Sequence, residues 1–267
     1  MKTRHTTAAA AASADTTRHD IAEIRQNLSG RLAVLDKAAL RRRFLEQDDF
    51  IFIEDFLPPE LVQQLQDAVR ATRGEVNRNL IPGHKKGGSI SRHVIDRLAP
   101  VIAELYRLPE FTAWLRALSD EPLLPSPADD PHAYALYFYT EAGDHIGWHY
   151  DTSYYKGSRY TLLLGVVDDS SCKLEYRLFT KGAAKAAGRA PVDGAIALRP
   201  GALVFFNGDK LQHRITPLAA GEERVALTFE YVTSQDMNPW WRLISNMKDS
   251  FAYFGFRQVF SRSRRSP

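Results

Sequence analysis

The chain has 267 residues, 44% of them hydrophobic and 25% charged, with 35 basic and 32 acidic side chains giving a formal net charge of +3. That length suits one large domain or two small ones. One cysteine, Cys172, excludes an intrachain disulfide framework and any zinc site built from several thiolates. No uncharged apolar run approaches the roughly 18–20 residues that span a bilayer. The charge balance gives no bulk attraction for nucleic acid. A soluble, cytoplasmic protein with no membrane or nucleic-acid partner is expected.

The first 20 residues are Ala/Thr-rich and of low complexity, with an apolar stretch too weak for a secretory core; they read as a disordered tail. From Ile21 to Gln47 the apolar residues Ile21, Ile24, Leu28, Leu32 and Leu35 recur at helical steps. Phe50–Ile53 reads as a short strand, and Pro58-Pro59-Glu60 opens a helix to about Arg70, since proline fits a first turn. Gly74–Gly88, with its Gly, Pro and Asn, reads as a loop, and its Lys85-Lys86 pair as part of a lid. Helices are expected over 95–107 and 110–119, then irregular chain through the four prolines at 122, 125, 127 and 131.

After His132 the texture changes. Tyr134–Thr140, Tyr160–Val167, Leu174–Phe179, Ala195–Leu198, Leu203–Phe206 and Val225–Val232 are short runs rich in aromatic and β-branched residues, with a loop at Lys181–Arg189. Helices followed by many short strands indicate an α+β class whose second part is a sandwich or jelly roll. The layout is a single domain over 21–260: helical support over 21–120, a jelly-roll core over 132–232 and a C-terminal cover over 233–260. The basic tail 261–267 reads as disordered.

His149-Tyr150-Asp151 carries the chemistry. Residues i and i+2 of a strand share a face, so imidazole and carboxylate can converge. Alone, His-x-Asp more often describes a strand histidine beside a solvated aspartate. The context favours more: Pro200–Phe206 feeds an apolar strand, Leu211–Pro217 brings His213, and Arg224 follows eleven positions later (224 − 213 = 11). Two imidazoles and one carboxylate on one face of an octahedron make the facial triad of non-haem Fe(II) oxygenases, which leaves positions open for a bidentate co-substrate and O2. Arg224 can fork onto the far carboxylate of a chelating keto acid. Trp148 is expected beside the metal. Asn207 and Asp144 suit turns, although Asn207 could also orient a ligand and Asp144 could meet an amine; His132 and His145 read as surface histidines.

From Tyr134 to Tyr231 the chain resembles the Fe(II)/2-oxoglutarate-dependent oxygenase superfamily, in its HYD motif, the TLLLGV strand, PGALVFF–QHRITP and ERVAL. The resemblance implies a double-stranded β-helix (jelly roll, cupin-like) flanked by N-terminal helices. It further implies Fe(II) held by His149, Asp151 and His213, 2-oxoglutarate held by Arg224 with Thr161 nearby, O2 as oxidant, and stimulation by ascorbate. A narrower likeness, carried by GWHYDTSYYKGSRYTLLL, Ser91-Arg92 and Trp240-Trp241, is to a subgroup acting on free amino acids, lysine halogenases and related hydroxylases. It implies that Arg92 meets the substrate carboxylate, that Trp240 and Trp241 wall the pocket, and that Thr228 and Glu230 are substrate contacts. Halogenating members replace the carboxylate ligand by Gly or Ala; Asp151 keeps it, so hydroxylation of a small polar molecule is expected. An oxygenase acting on a protein or nucleic acid, and a non-catalytic cupin-like binder, are the alternatives.

Overall fold

The structure is a computed structural model that describes residues 22–236. Helix α1 (22–34) and α2 (Lys37–Glu46) replace the single helical stretch expected there. The break has a local cause: Asp36 leaves helical geometry and its side chain accepts a hydrogen bond from the Ala39 N–H at 2.9 Å, capping α2. Strand β1 (Phe50–Ile53) leads to α3 (Pro59–Thr72).

The expected loop over 74–88 is instead a 3₁₀ turn followed by a hairpin, β2 (Asn77–Ile81) and β3 (Lys85–Ser91). Gly88 serves close packing, since a Cβ there would lie 2.4 Å from Val76 Cγ1, while Gly83 supplies the positive φ of the turn. The helix expected over 95–107 starts earlier and is split into α4 (Arg92–Leu98) and α5 (Pro100–Arg107). Pro100 cannot continue a helix and forces Ala99 out of helical geometry (φ −140°, ψ 56°). Helix α6 (Pro109–Ser119) ends on Asp120 in the left-handed region.

The remaining strands are β4 (Leu124–Pro125), β5 (Tyr134–Tyr139), β6 (His145–His149), β7 (Arg159–Asp169), β8 (Leu174–Leu178), β9 (Val192–Ile196), β10 (Leu203–Asn207), β11 (Gln212–Ile215) and β12 (Glu223–Val232). β9 lies three residues earlier than the expected start, and the expected loop 181–189 contains a short helix, α7 (Gly182–Ala186). The strands pair antiparallel in the order β1-β10-β7-β12-β5-β3-β6-β11-β8-β9, with β2 on β3 and β4 on β12. The sheet curls into the jelly-roll arrangement expected from the sequence, with the helices on one outer face.

The period-two alternation of strands sorts the two faces. On β7 and β12, Leu162, Leu164, Val166, Val225, Leu227, Phe229 and Tyr231 join the helices in one large core. This is why TLLLGV reads as continuously apolar: both of its faces are covered. The alternate residues, Arg159, Thr161, Leu163 and then Arg224, Ala226, Thr228 and Glu230, face the concave side and line a cavity there. A second apolar cluster, including Phe50, Leu163, Leu174, Val204, Phe206 and Ile215, closes that side.

Beside the cavity, Arg78 of the unforeseen hairpin grips Asp144 in the β5–β6 turn through two bonds of 2.8 and 2.7 Å. Asp144 is fully buried and also accepts the N–H groups of Thr140 and Glu141. Burial alone would raise its carboxyl, but the Arg78 contact and these N–H groups hold it below the usual carboxylate range. Its role is that of a turn residue. Asn207 is one as well, its side-chain oxygen accepting the Asp209 N–H at 3.0 Å.

Candidate metal centre

The antiparallel pairing of β6 and β11 places His149 directly opposite His213, with ring centroids 4.2 Å apart. β6 ends at His149, so Asp151 is not on the strand; it lies in the coil that follows. Convergence therefore needs a second device, and the Asn207–Lys210 turn supplies it. Asp209 accepts the N–H groups of Ser153 and Arg159, both at 3.2 Å, and Gly208 donates its N–H to the Arg159 carbonyl at 2.8 Å. Gly208 sits so close that a Cβ there would fall 2.6 Å from the Asp151 carbonyl oxygen and 2.8 Å from its Cβ. Gly208→Ala is accordingly expected to displace Asp151 and lower metal affinity about tenfold or more, the scale seen when a ligand's support is lost; calorimetric Mn(II) titration reads this.

One ligand atom from each of His149, Asp151 and His213 lies within 4.8 Å of the others. His149 Nε2 is 3.4 Å from Asp151 Oδ1, and His213 Nε2 is 3.7 Å from Oδ2. The opposite ring nitrogens face carbonyls two residues back: His149 Nδ1 is 2.8 Å from Gly147 O, and His213 Nδ1 is 3.4 Å from Leu211 O. A nitrogen facing a carbonyl must carry hydrogen, so each neutral ring presents its Nε2 lone pair to the carboxylate. Lone pairs from two imidazoles and a carboxylate, aimed at one small space, suit a cation. The same N–H-to-carbonyl arrangement orients metal-binding histidines generally.

The ionisation states follow this geometry. Burial and the neighbouring His149 push the His213 imidazole down to about 4. Burial also opposes charge on His149, but its contact with Asp151 outweighs this and raises it. Burial would raise the Asp151 carboxyl; the two imidazoles hold it well below the carboxylate range instead.

The cavity, of about 280 Å³, has the triad in its wall. At one side lies Arg224, 2% exposed, its guanidinium carbon 5.1 Å from the centre of the Tyr139 ring. It makes no ion pair with a carboxylate among the described residues. A buried guanidinium without a counter-ion is costly, and a carboxylate ligand is the natural complement. At the other side Arg159 donates two hydrogen bonds to Glu230, each 2.7 Å. The Thr161 hydroxyl lies 2.9 Å from both Asp151 Oδ2 and Glu230 Oε2. Thr228 lines the same wall, its hydroxyl donating to the Ala135 carbonyl.

Thus His149, Asp151, Thr161, His213, Arg224, Thr228 and Glu230 share one cavity. Arg92 is not in its wall: it opens α4, 3.5 Å from Asp96 and over the Tyr134 ring. Trp240 and Trp241 lie outside the described residues. Trp148 is turned away from the triad, as its position next to inward-facing His149 requires, and stacks under Arg177 and Arg214 on the outer surface.

Two residues of the region, Arg159 and His84, escaped the sequence reading, and Lys85 was misassigned. Arg159 was legible in principle, since it shares the odd-numbered face with Thr161. His84, whose ring meets His149 edge-on at 5.8 Å, lies in the turn of the missed hairpin. Lys85 is no lid residue: it is 1% exposed, its ammonium 4.7 Å from the centre of the Tyr137 ring, and burial lowers it to about 7.

A family model described as halogenase D matches residues 33–157. That stretch contains His149 and Asp151 but stops before His213 and Arg224. No curated protein matches in sequence. Among solved structures, the non-haem α-ketoglutarate-dependent epimerase SnoN from nogalamycin biosynthesis is similar with a TM-score of 0.59 at 15% identity, covering 74% of this chain and 82% of SnoN. SnoN with Fe3+, α-ketoglutarate and nogalamycin RO gives 0.58 at 16%, covering 74% and 84%. A prolyl-4-hydroxylase from Pseudomonas putida gives 0.50 at 17%, covering 74% and 98%. The chain has the fold of the Fe(II)/2-oxoglutarate oxygenases, with a His–Asp–His cluster in its cavity. Among the described residues no helix is long and apolar enough to cross a membrane.

Proposed function

We propose that the protein is an Fe(II)- and 2-oxoglutarate-dependent dioxygenase that hydroxylates an unactivated C–H bond of a small polar substrate, a free or modified amino acid, in the cytoplasm. The observation that carries this reading is the joint presence, in one cavity of this fold, of the His149–Asp151–His213 donor set and of Arg224, buried and without a carboxylate partner among the described residues. His149, Asp151 and His213 would hold the iron, which when bound would supply the oxidising chemistry that couples O2 and keto-acid decarboxylation to substrate oxidation.

The remaining work belongs to the chain. The lone-pair face of the three ligands leaves the cavity side open, so keto acid and O2 have room to bind. Arg224 takes the distal carboxylate of 2-oxoglutarate in a bidentate, permanently charged grip. Leu163, Leu174, Ile215 and Ala226 make that end dry, which strengthens the ion pair and excludes water. Arg159, Thr228 and Glu230, with His132 and Tyr154, form the polar end that receives the substrate. Arg92, Trp240 and Trp241 stay assigned to the substrate by resemblance alone. The Asp151 carboxylate fills the position that halogenating relatives vacate, which favours hydroxylation.

Free amino acids and their small derivatives, incubated with the protein, Fe(II), ascorbate and 2-oxoglutarate and followed by mass spectrometry, test this. A gain of one oxygen atom with matching succinate is expected. An unchanged mass with succinate formation points to epimerisation, and loss of two hydrogens to desaturation or ring closure; either replaces hydroxylation. Absence of Fe(II)-dependent 2-oxoglutarate decarboxylation under every condition overturns the reading.

A further inference from the structure

The two oxygens of Asp151 have different surroundings. Oδ1 faces the lone-pair side of His149 Nε2 at 3.4 Å, and among the described residues no hydroxyl or amide N–H donates to it. Oδ2 receives the Thr161 hydroxyl at 2.9 Å. Thr161 is 1% exposed and β-branched, so its hydroxyl has little freedom to move away. A hydroxyl has one hydrogen, yet a second carboxylate, Glu230, lies at the same 2.9 Å. Arg159 biases the competition toward Asp151. Its Nε donates to Glu230 Oε2 and its terminal nitrogen pairs with Oε1, so each Glu230 oxygen already has a charge-assisted donor, whereas among the described residues Asp151 Oδ2 takes a hydrogen bond from Thr161 alone. The Thr161 hydrogen is left for Asp151.

We propose that Arg159, Glu230 and Thr161 form a positioning relay that holds Asp151 Oδ2 on the protein, so that Asp151 ligates the metal through Oδ1 alone. The inference rests on the metal-site reading above. Its chemical consequence is specific. A carboxylate free to rotate can chelate through both oxygens and take a further coordination position. A three-atom protein donor set leaves three octahedral positions, the number that a bidentate keto acid and O2 together require. Thr161 then protects the vacancy on which the reaction depends, without touching any reacting atom. A hydroxyl at this place, rather than an alkyl group of the same shape, is what the role demands.

The test counts water molecules on the metal and needs no turnover. Protein loaded with Mn(II), without keto acid, is exposed to ¹⁷O-enriched water, and the broadening of the manganese resonance gives the number of bound waters. The wild-type protein is expected to hold about three, Thr161→Val about two, and Thr161→Ser about three again. Mn(II) affinity in Thr161→Val should equal or exceed that of wild type, whereas general damage to the site would lower it. Thr161→Ala supplies the same reading if the valine variant does not fold. About three waters in both Thr161→Val and Thr161→Ala overturn the relay. So does weakened Mn(II) binding in these variants that Thr161→Ser does not restore. Failure of the wild-type protein to bind Mn(II) instead overturns the metal-site reading itself. A direct role of Thr161 on 2-oxoglutarate alone would leave the water count unchanged, and so also counts against the relay.

Discussion

Asp151→Ala is expected to abolish 2-oxoglutarate decarboxylation and to weaken Mn(II) binding by about 100-fold or more while the fold survives. The magnitude follows from the chemistry removed: the only carboxylate of the triad, and with it the group that both imidazoles face at 3.4 and 3.7 Å. The fold survives because Asp151 lies in coil beyond β6, while the core on the helix side of β7 and β12 does not include it. In the metal-free protein the substitution also relieves the burial of a carboxylate, which offsets the missing attraction to the two imidazoles and the Thr161 hydroxyl. Unchanged far-UV dichroism with no detectable succinate is the expected pair of results; full activity in this variant would disprove the ligand assignment. The proton competes with the metal at the same atoms. Asp151 raises the His149 imidazole, so in the wild-type protein metal affinity should fall as pH drops through that raised value. His213, held near 4, adds its proton only in more acid solution.

The second large effect is expected at Arg224, and it has two opposite parts. Arg224→Met should weaken 2-oxoglutarate binding to the Mn(II)-loaded protein by about 100-fold, or about 3 kcal/mol, the scale of a desolvated bidentate pair losing one partner. The same substitution should leave the ligand-free protein as stable as wild type or more so. Arg224 is buried without a carboxylate partner among the described residues, so its charge is a burden until an anion arrives. Calorimetric titration reads the first part and thermal unfolding the second. A marked loss of stability with unaltered affinity would assign Arg224 to the scaffold.

How much of this was written in the sequence depended on periodicity. The apolar alternation of β5, β7, β10 and β12 identified the jelly-roll strands, and the HYD motif with His213 and Arg224 identified residues that the fold does gather. The hairpin β2–β3 was missed because Gly83, Gly87 and Gly88 read as punctuation, whereas two of them permit close approach of neighbouring side chains and backbone. With it went His84 and the burial of Lys85. Strand geometry alone also gave an incomplete reason for the convergence of His149 and Asp151. The support of Asp151 by Gly208 and Asp209 joins segments 50 or more residues apart, and no local pattern encodes it. Trp148 illustrates the converse error, a residue placed by proximity in the chain although alternation turns it outward.

The strict division of β12 into two faces has a consequence for how such a fold can diversify. Its odd-numbered residues from Val225 to Tyr231 are fixed by fit against the helices, whereas Thr228 and Glu230 face the cavity. Selection can therefore exchange a cavity-facing side chain such as Thr228 and leave the packing on the helix side untouched, whereas Glu230 is held by Arg159. Insertion or deletion of a single residue in that strand would do the reverse: greasy side chains would swing into the reaction chamber, and the charged ones would be driven under the helices.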